Sequence, residues 1–339
     1  MNHDHGSITP QVMLILIFVA VVLSAGVPYI SQGLQQYEKS ARTYRTKKIL
    51  ESAVNETVAA FEADHTPDAD GIDDPAQQYI ESTTVVELEL HDISSKINPN
   101  YIRKKMLEQT RLKGLLRPES SAIILQQYRY DNGPASDVSR YKYIFTDDAK
   151  KYLTVFSWAN INTTDEYMLR SLYLSITGSR FDADAFHDKI SIALQEGLVF
   201  DKDSMGSFYG RYLQETWPII NAEPWFNVNF VDPFLLEALL KYPEYAIASP
   251  EERAARLIEL REQRELTRYD IALVLGIDLN HPLMQYLGTK TSFWEIVARS
   301  GGLTYTAIIA RLPEKPFNGS YRKSGKTYYY AVIEGRYEP

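Results

Sequence analysis

From Val12 to Ile30 the chain carries no charged residue. A helix crosses the hydrocarbon core of a bilayer with about 20 such residues, so this run constrains the fold first. Its start is marked by Thr9, a capping residue type, and by Pro10, which suits the first helical position. Beyond the run, apolar residues continue at Leu34, Tyr37, Ala41 and Tyr44, then at Leu50, Val54, Val58 and Phe61. Steps of three and four place them on one helix face. Pro28 removes one backbone hydrogen bond and bends such a helix without ending it. The spacing therefore predicts one helix from about residue 10 to about residue 62, apolar first and then amphipathic, its second half packed on a folded domain. A second reading is a cleaved secretory signal. "LSAGVPYI" offers Ser24 and Gly26 for the cut, whereas "MNHDHG" lacks the Lys or Arg expected ahead of one.

The 339 residues suffice for an anchor and one or two folded domains. A formal net charge of -8 argues against binding phosphate backbones. The absence of cysteine excludes disulfides, zinc fingers and thiol catalysis. The 24 tyrosines, concentrated in "KTYYYAVIEGRY" near the end, favour strands and interfaces.

After the helix, "DHTPDADGIDDP" reads as a loop. "TTVVELELHDI" alternates Val86, Leu88 and Leu90 with Glu87, Glu89 and His91, a strand with one buried face. From "SSKINPNYI" to about residue 280 the signals are mostly helical, with "DNGPASDVSRY" and "GSFYG" as loops. Ser249, Pro250 and Glu252 read as a capping box, and so do Thr267 and Asp270. "TSFWEIVARS", "LTYTAIIARLP" and "KTYYYAVIEGRY" read as three strands. One strand before the helical block and three after it imply an α+β fold. A helical insertion interrupts one sheet, and that sheet covers the amphipathic half of the long helix. Three passages echo one another: "INPNYI", "INTTDEYML" and "FNVNFVDPFLLEAL", with Asn98, Asn162 and Asn227 at matching places. They are either unrelated helix starts or copies of one short helical module.

The leader "HGSITPQVML", with Gly6 and Ser7 ahead of an apolar helix that becomes a domain spine, resembles a type IV pilin or pseudopilin. The resemblance implies cutting by a prepilin peptidase between Gly6 and Ser7, methylation of the new terminus, and Pro28 as the kinking proline of the assembly helix. Gln11 stands where the family usually has glutamate. The K-type minor pseudopilin of type II secretion lacks that glutamate. It is also similar in the succession "DISSKINPN", "FNVNFVDPFLLEALL", "LIELREQRELTRYDIALVLGI" and "LGTKTSFWEIVARSGGLTYTAIIARL".

That resemblance implies a leader at 1–6, a transmembrane and spine helix at 7–63, a loop and first strand at 64–96, SAM-like modules at 97–282 and C-terminal strands at 283–339. It further implies a non-enzymatic protein that caps the pseudopilus tip and starts its assembly. Its partners would be the I- and J-type minor pseudopilins and, through them, the major pseudopilin. It would sit in the inner membrane with its C-terminal domain in the periplasm. Lys39, Arg42, Arg45, Lys47 and Lys48 all follow the span and none precedes it, a bias that taken alone would place the following domain in the cytoplasm.

No catalytic constellation stands out. The six histidines have no metal-ligand spacing, and His91 reads as a solvated strand residue. "NGSYRKSGKT" lacks the strand and helix that frame a phosphate loop, and Asp147 with Asp148 reads as a turn. Asp68, Asp70, Asp73 and Asp74 around Gly71 are either a calcium loop or a solvated acidic loop. K-type pseudopilins carry calcium, so the resemblance leans towards the first. Two other functional classes remain as alternatives: a nucleic-acid-binding membrane protein with helix-hairpin-helix-like modules, and a tethered exported enzyme.

Overall fold

The computed structural model describes residues 8–63, 69–71, 74–83, 86–209, 212–312 and 329–338. Within the helices, the side chains at 8–12, 22, 23, 25–28, 30, 202, 203 and 207 lie outside the description, as does the side chain of residue 329. Helix α1 (Ile8–Glu62) is continuous over 55 residues and passes through position 28. Thr9 lies within it, not at its cap. Among the described residues no helix is long and apolar enough to cross a membrane. The expected span over 12–30 includes several of the side chains outside the description.

After α1 come the short helix α2 (Pro75–Ser82) and strand β1 (Glu87–Asp92). The helical block follows, with α3 (Lys104–Gln109), α4 (Ala122–Asn132), α5 (Glu166–Thr177), α6 (Arg180–Gln195) and α7 (Lys202–Tyr209). It continues with α8 (Leu213–Thr216), α9 (Pro233–Leu240), α10 (Pro250–Arg261) and α11 (Arg268–Leu275). Two-residue strands β2 (Ala159–Asn160), β3 (Ile220–Asn221), β4 (Phe226–Asn227) and β5 (Leu287–Gly288) lie within the block. The chain then returns to the sheet through β6 (Phe293–Ser300), β7 (Leu303–Leu312) and β8 (Tyr329–Glu338). The main sheet has the order β1-β6-β7-β8 and is antiparallel throughout. Asp92 faces Trp294 across the β1–β6 pair, and a register shift lies between Ile308 and Ile309.

Leu50, Ala53, Val54 and Phe61 of α1 bury against Leu88, Trp294, Ile296, Ala307 and Ile309. Phe61 stacks on Trp294 at 5.3 Å and on Tyr330 at 5.0 Å. Rings that large supply much of the apolar area that fixes helix to sheet. Val86, just before β1, and Leu88 are buried and Glu87 and His91 exposed, as the alternation predicts, whereas Glu89 and Leu90 are both half-buried.

The block is built from one module used three times. Each copy begins with Asn-x-Asn. The first Asn side chain accepts the N–H of the second: Asn98 from Asn100, Asn160 from Asn162 and Asn227 from Asn229. The second Asn then clamps both backbone groups of a residue 35, 38 or 37 positions on. Asn100 holds the N–H and C=O of Ala135, Asn162 those of Phe200, and Asn229 those of Leu266. Each copy closes with a parallel pairing back to its own start: Ile97 with Leu153, Ala159 with Ile220, and Phe226 with Leu287. Arg129 and Arg261 donate to the carbonyls of Pro99 and Val228, the residues between the paired asparagines in the first and third copies. The counterpart of Asn98 and Asn227 is therefore Asn160, and the expected match to Asn162 is two residues out of register.

Other local expectations are corrected. Ser249 has φ 48° and makes no side-chain cap bond, so the Ser249–Glu252 box does not form. A left-handed Ser cannot turn its hydroxyl onto the first-turn amides in the usual way. The Thr267–Asp270 box is complete. "GSFYG" is not a loop, because its residues up to Tyr209 lie in α7. The helical signal in "NYIRKKMLEQTRLKGLL" is realised in two pieces, α3 and a 3-10 turn, Arg111–Leu115, broken at Thr110.

Candidate assembly surface

The sheet reaches only part of α1. A Cβ on Gly301, in the β6–β7 turn, would meet Thr46 at 3.5 Å, and continuous burial on the helix begins at Leu50. N-terminal to that point, Leu34, Tyr37 and Tyr44 are 59%, 73% and 63% exposed. This corrects the expectation that the whole stripe packs on the domain. Spacing reports that a helix face is suited to burial, not what covers it. Large apolar side chains standing free at helical spacing are what an adjacent helix would cover. Arg42 and Arg45 are exposed on the same stretch.

The backbone at Gln11 and Pro28 is helical, and their side chains lie outside the described residues, as do Gly6 and Ser7 entirely. Asp68 and Asp73 also lie outside them. Asp70 and Asp74 are both buried, so the solvated-loop reading does not fit these two. The Asp70 carboxylate accepts from Arg311 Nη2 and, at 2.5 Å, from the Thr291 N–H. Its backbone C=O accepts from Asn227 and Asn229. Burial pulls the Arg311 pKa down, but the Asp70 charge and the bonds to Asp70 and Tyr330 more than reverse this and raise it. The cation facing Asp70 is thus the chain's own guanidinium. Among the described residues no group of three or more His, Asp or Glu is arranged to hold a metal ion.

Beside this pair, Asp92 accepts the N–H and hydroxyl groups of Ser94 and Ser95, and its Oδ2 takes the Thr291 hydroxyl at 3.1 Å. Burial pushes its carboxyl upward in pKa, while the serine bonds oppose the shift. Thr291 also accepts from Asn227 Nδ2. This polar network ties the third module to the sheet. Sequence reasoning missed Arg311, Asp92 and Asn229. The available signals were a lone arginine inside the apolar strand "AIIARL" and the second asparagine of each Asn-x-Asn.

No family model matches this chain. No curated protein matches it either. Among solved structures it is similar to a chain of the crystal structure of the GspK-GspI-GspJ complex from the enterotoxigenic Escherichia coli Type 2 Secretion System. The identity is 13% and the TM-score 0.35, over 89% of this chain and 99% of that one. A likeness that loose carries no argument about fold or role.

Proposed function

We propose that this chain is a non-enzymatic minor pseudopilin that caps a type II secretion pseudopilus and initiates its assembly. The observation that carries this reading is the long helix: one continuous element serves the sheet with its last turns and leaves an apolar stripe free along the stretch before them. That division suits a subunit whose helix bundles with those of its neighbours. Gln11 supports the tip position, since a carboxylate in lipid demands a paired charge and an amide does not. The neighbours are I- and J-type minor pseudopilins, the anchor lies in the inner membrane, and the modules face the periplasm. A net charge of -8 does not favour the nucleic-acid alternative.

The test is the intact mass and N-terminal sequence of membrane-extracted protein, with and without an active prepilin peptidase. Loss of "MNHDHG" with Ser7 exposed is expected only with the peptidase present. An unprocessed Met1 in both backgrounds, or a new terminus near Gly26, overturns the proposal.

A further inference from the structure

Residues 31–50 of α1 hold five bases, Lys39, Arg42, Arg45, Lys47 and Lys48, against one acid, Glu38, in a chain of net charge -8. Two of the five are already engaged: Lys48 pairs with Glu51 at 2.6 Å, and Lys47 lies over the Tyr337 ring at 4.6 Å. Among the described residues Lys39, Arg42 and Arg45 are exposed and make no ion pair. Glu338, at the sheet end near this stretch, is itself committed to Arg336 at 3.2 Å. Lys39, Arg42 and Thr46 are three, four and seven residues apart and so share one face of the helix. That face is the one on which Thr46 meets the β6–β7 turn at Gly301. The free cations therefore lie on the side of α1 beneath the sheet. Because α1 is continuous, their height above the uncharged run is fixed. At about 1.5 Å per residue, Lys39, Arg42 and Arg45 stand about 14, 18 and 22 Å beyond Ile30 along the axis. Headgroups fill about 5–8 Å beyond the hydrocarbon core, which leaves Lys39 and Arg42 within about one Debye length of them. Helical side chains lean towards the N-terminus, here towards that layer, and long basic side chains extend their charge further in the same direction.

We propose that Lys39, Arg42 and Arg45 bind the headgroups of anionic phospholipids, so that α1 selects acidic lipids around its exit from the bilayer. This rests on the reading of Val12–Ile30 as a membrane anchor. The charge is complementary, and the anchor on the same helix sets the distance, which an acidic protein partner would have to match separately. The cations lie on a different side of α1 from Leu34, Tyr37 and Tyr44, so lipid contact leaves the apolar stripe open to a neighbouring helix.

The test reconstitutes the full-length chain in phosphatidylcholine vesicles that carry a trace of spin-labelled phosphatidylglycerol or spin-labelled phosphatidylcholine. Electron paramagnetic resonance then reads the fraction of each label immobilised at the protein. A preference for phosphatidylglycerol of about threefold is expected at low salt, falling towards one in 0.5 M NaCl, where the Debye length is only about 4 Å. The triple variant Lys39→Gln, Arg42→Gln, Arg45→Gln is expected to lose the preference. Lys113→Gln, an exposed position in the helical block, is expected to keep it. Equal immobilisation of both lipids by the native chain leaves the anchor standing and overturns this proposal alone. So does a preference that survives in the triple variant or disappears in Lys113→Gln. Immobilisation of neither lipid refutes the anchor, and this proposal with it.

Discussion

Asn162→Ala tests the module architecture at its centre. Asn162 accepts the Phe200 N–H at 2.8 Å, donates to the Phe200 C=O at 2.8 Å, and donates to Gln285 Oε1 at 3.0 Å. Phe200 and Asn162 are both buried, so truncation leaves a donor and an acceptor without water. At about 1–3 kcal/mol for each orphaned group, the expected loss is about 3 kcal/mol. With a urea m-value of about 3 kcal/mol/M, the midpoint falls by about 1 M. Asn221→Ala is the control. Its Oδ1 accepts one bond, from the Glu223 N–H at 3.0 Å, and its Nδ2 has no partner, so the loss should stay near or below about 1 kcal/mol. Asn162→Asp keeps the acceptor for Phe200 N–H but turns an oxygen on the Phe200 carbonyl, and should cost at least as much as alanine. The assay is urea denaturation of the full-length protein in detergent, read by tryptophan fluorescence. If Asn162→Ala costs no more than Asn221→Ala, the clamp is not what holds the module closed.

Two further perturbations follow from single contacts. In Gly335→Ala the new Cβ would stand 2.5 Å from Tyr305 Oη and 3.1 Å from its ring, which is stacked on Tyr337 at 4.5 Å; a loss of about 1–3 kcal/mol is expected, partly recovered by adding Tyr305→Phe, with urea midpoints as the measure. The Arg264 hydrogen bond, with Thr267, holds the Asp270 carboxyl well below the usual range, so its contribution is present above the unfolded pKa and is lost as pH falls through the folded one. Urea midpoints should therefore drop below about pH 4 in the native chain, and less steeply in Asp270→Asn.

Local signals in the sequence translated well where one element sufficed. The alternation in β1, the Thr267–Asp270 box and the three closing strands all stand where spacing puts them. Leu50, Val54 and Phe61 face the sheet, while Leu34, Tyr37 and Tyr44 do not, because a periodic stripe is silent about its partner. Ser249 failed because its backbone is left-handed, a state that residue type alone does not announce. The Asn repeat was visible, but its register was not. Two of the passages hold two asparagines two residues apart, the third has its partner Asn160 just ahead of it, and only the long-range clamps to Ala135, Phe200 and Leu266 show which is which. Asp70 was singled out for its acidic neighbours. Its actual partner, Arg311, lies 241 positions away; a lone arginine in an apolar strand hints at a buried partner but does not say which carboxylate it is.

The two ends of the helical block are hydrogen-bonded neighbours: Ile93 N–H donates to the Phe293 carbonyl, and Ser292 N–H to Ser94 Oγ across 198 residues of chain. Closing an unstructured loop of that length would cost about 5 kcal/mol of chain entropy before a single sheet bond rewarded it. The parallel pairings that close the modules shorten the path, because each module returns its end to its own beginning. Pairing of β1 with β6 thus becomes a short-range event once the modules have formed. On loop-closure entropy alone, this connectivity favours forming the insertion before the sheet that carries it.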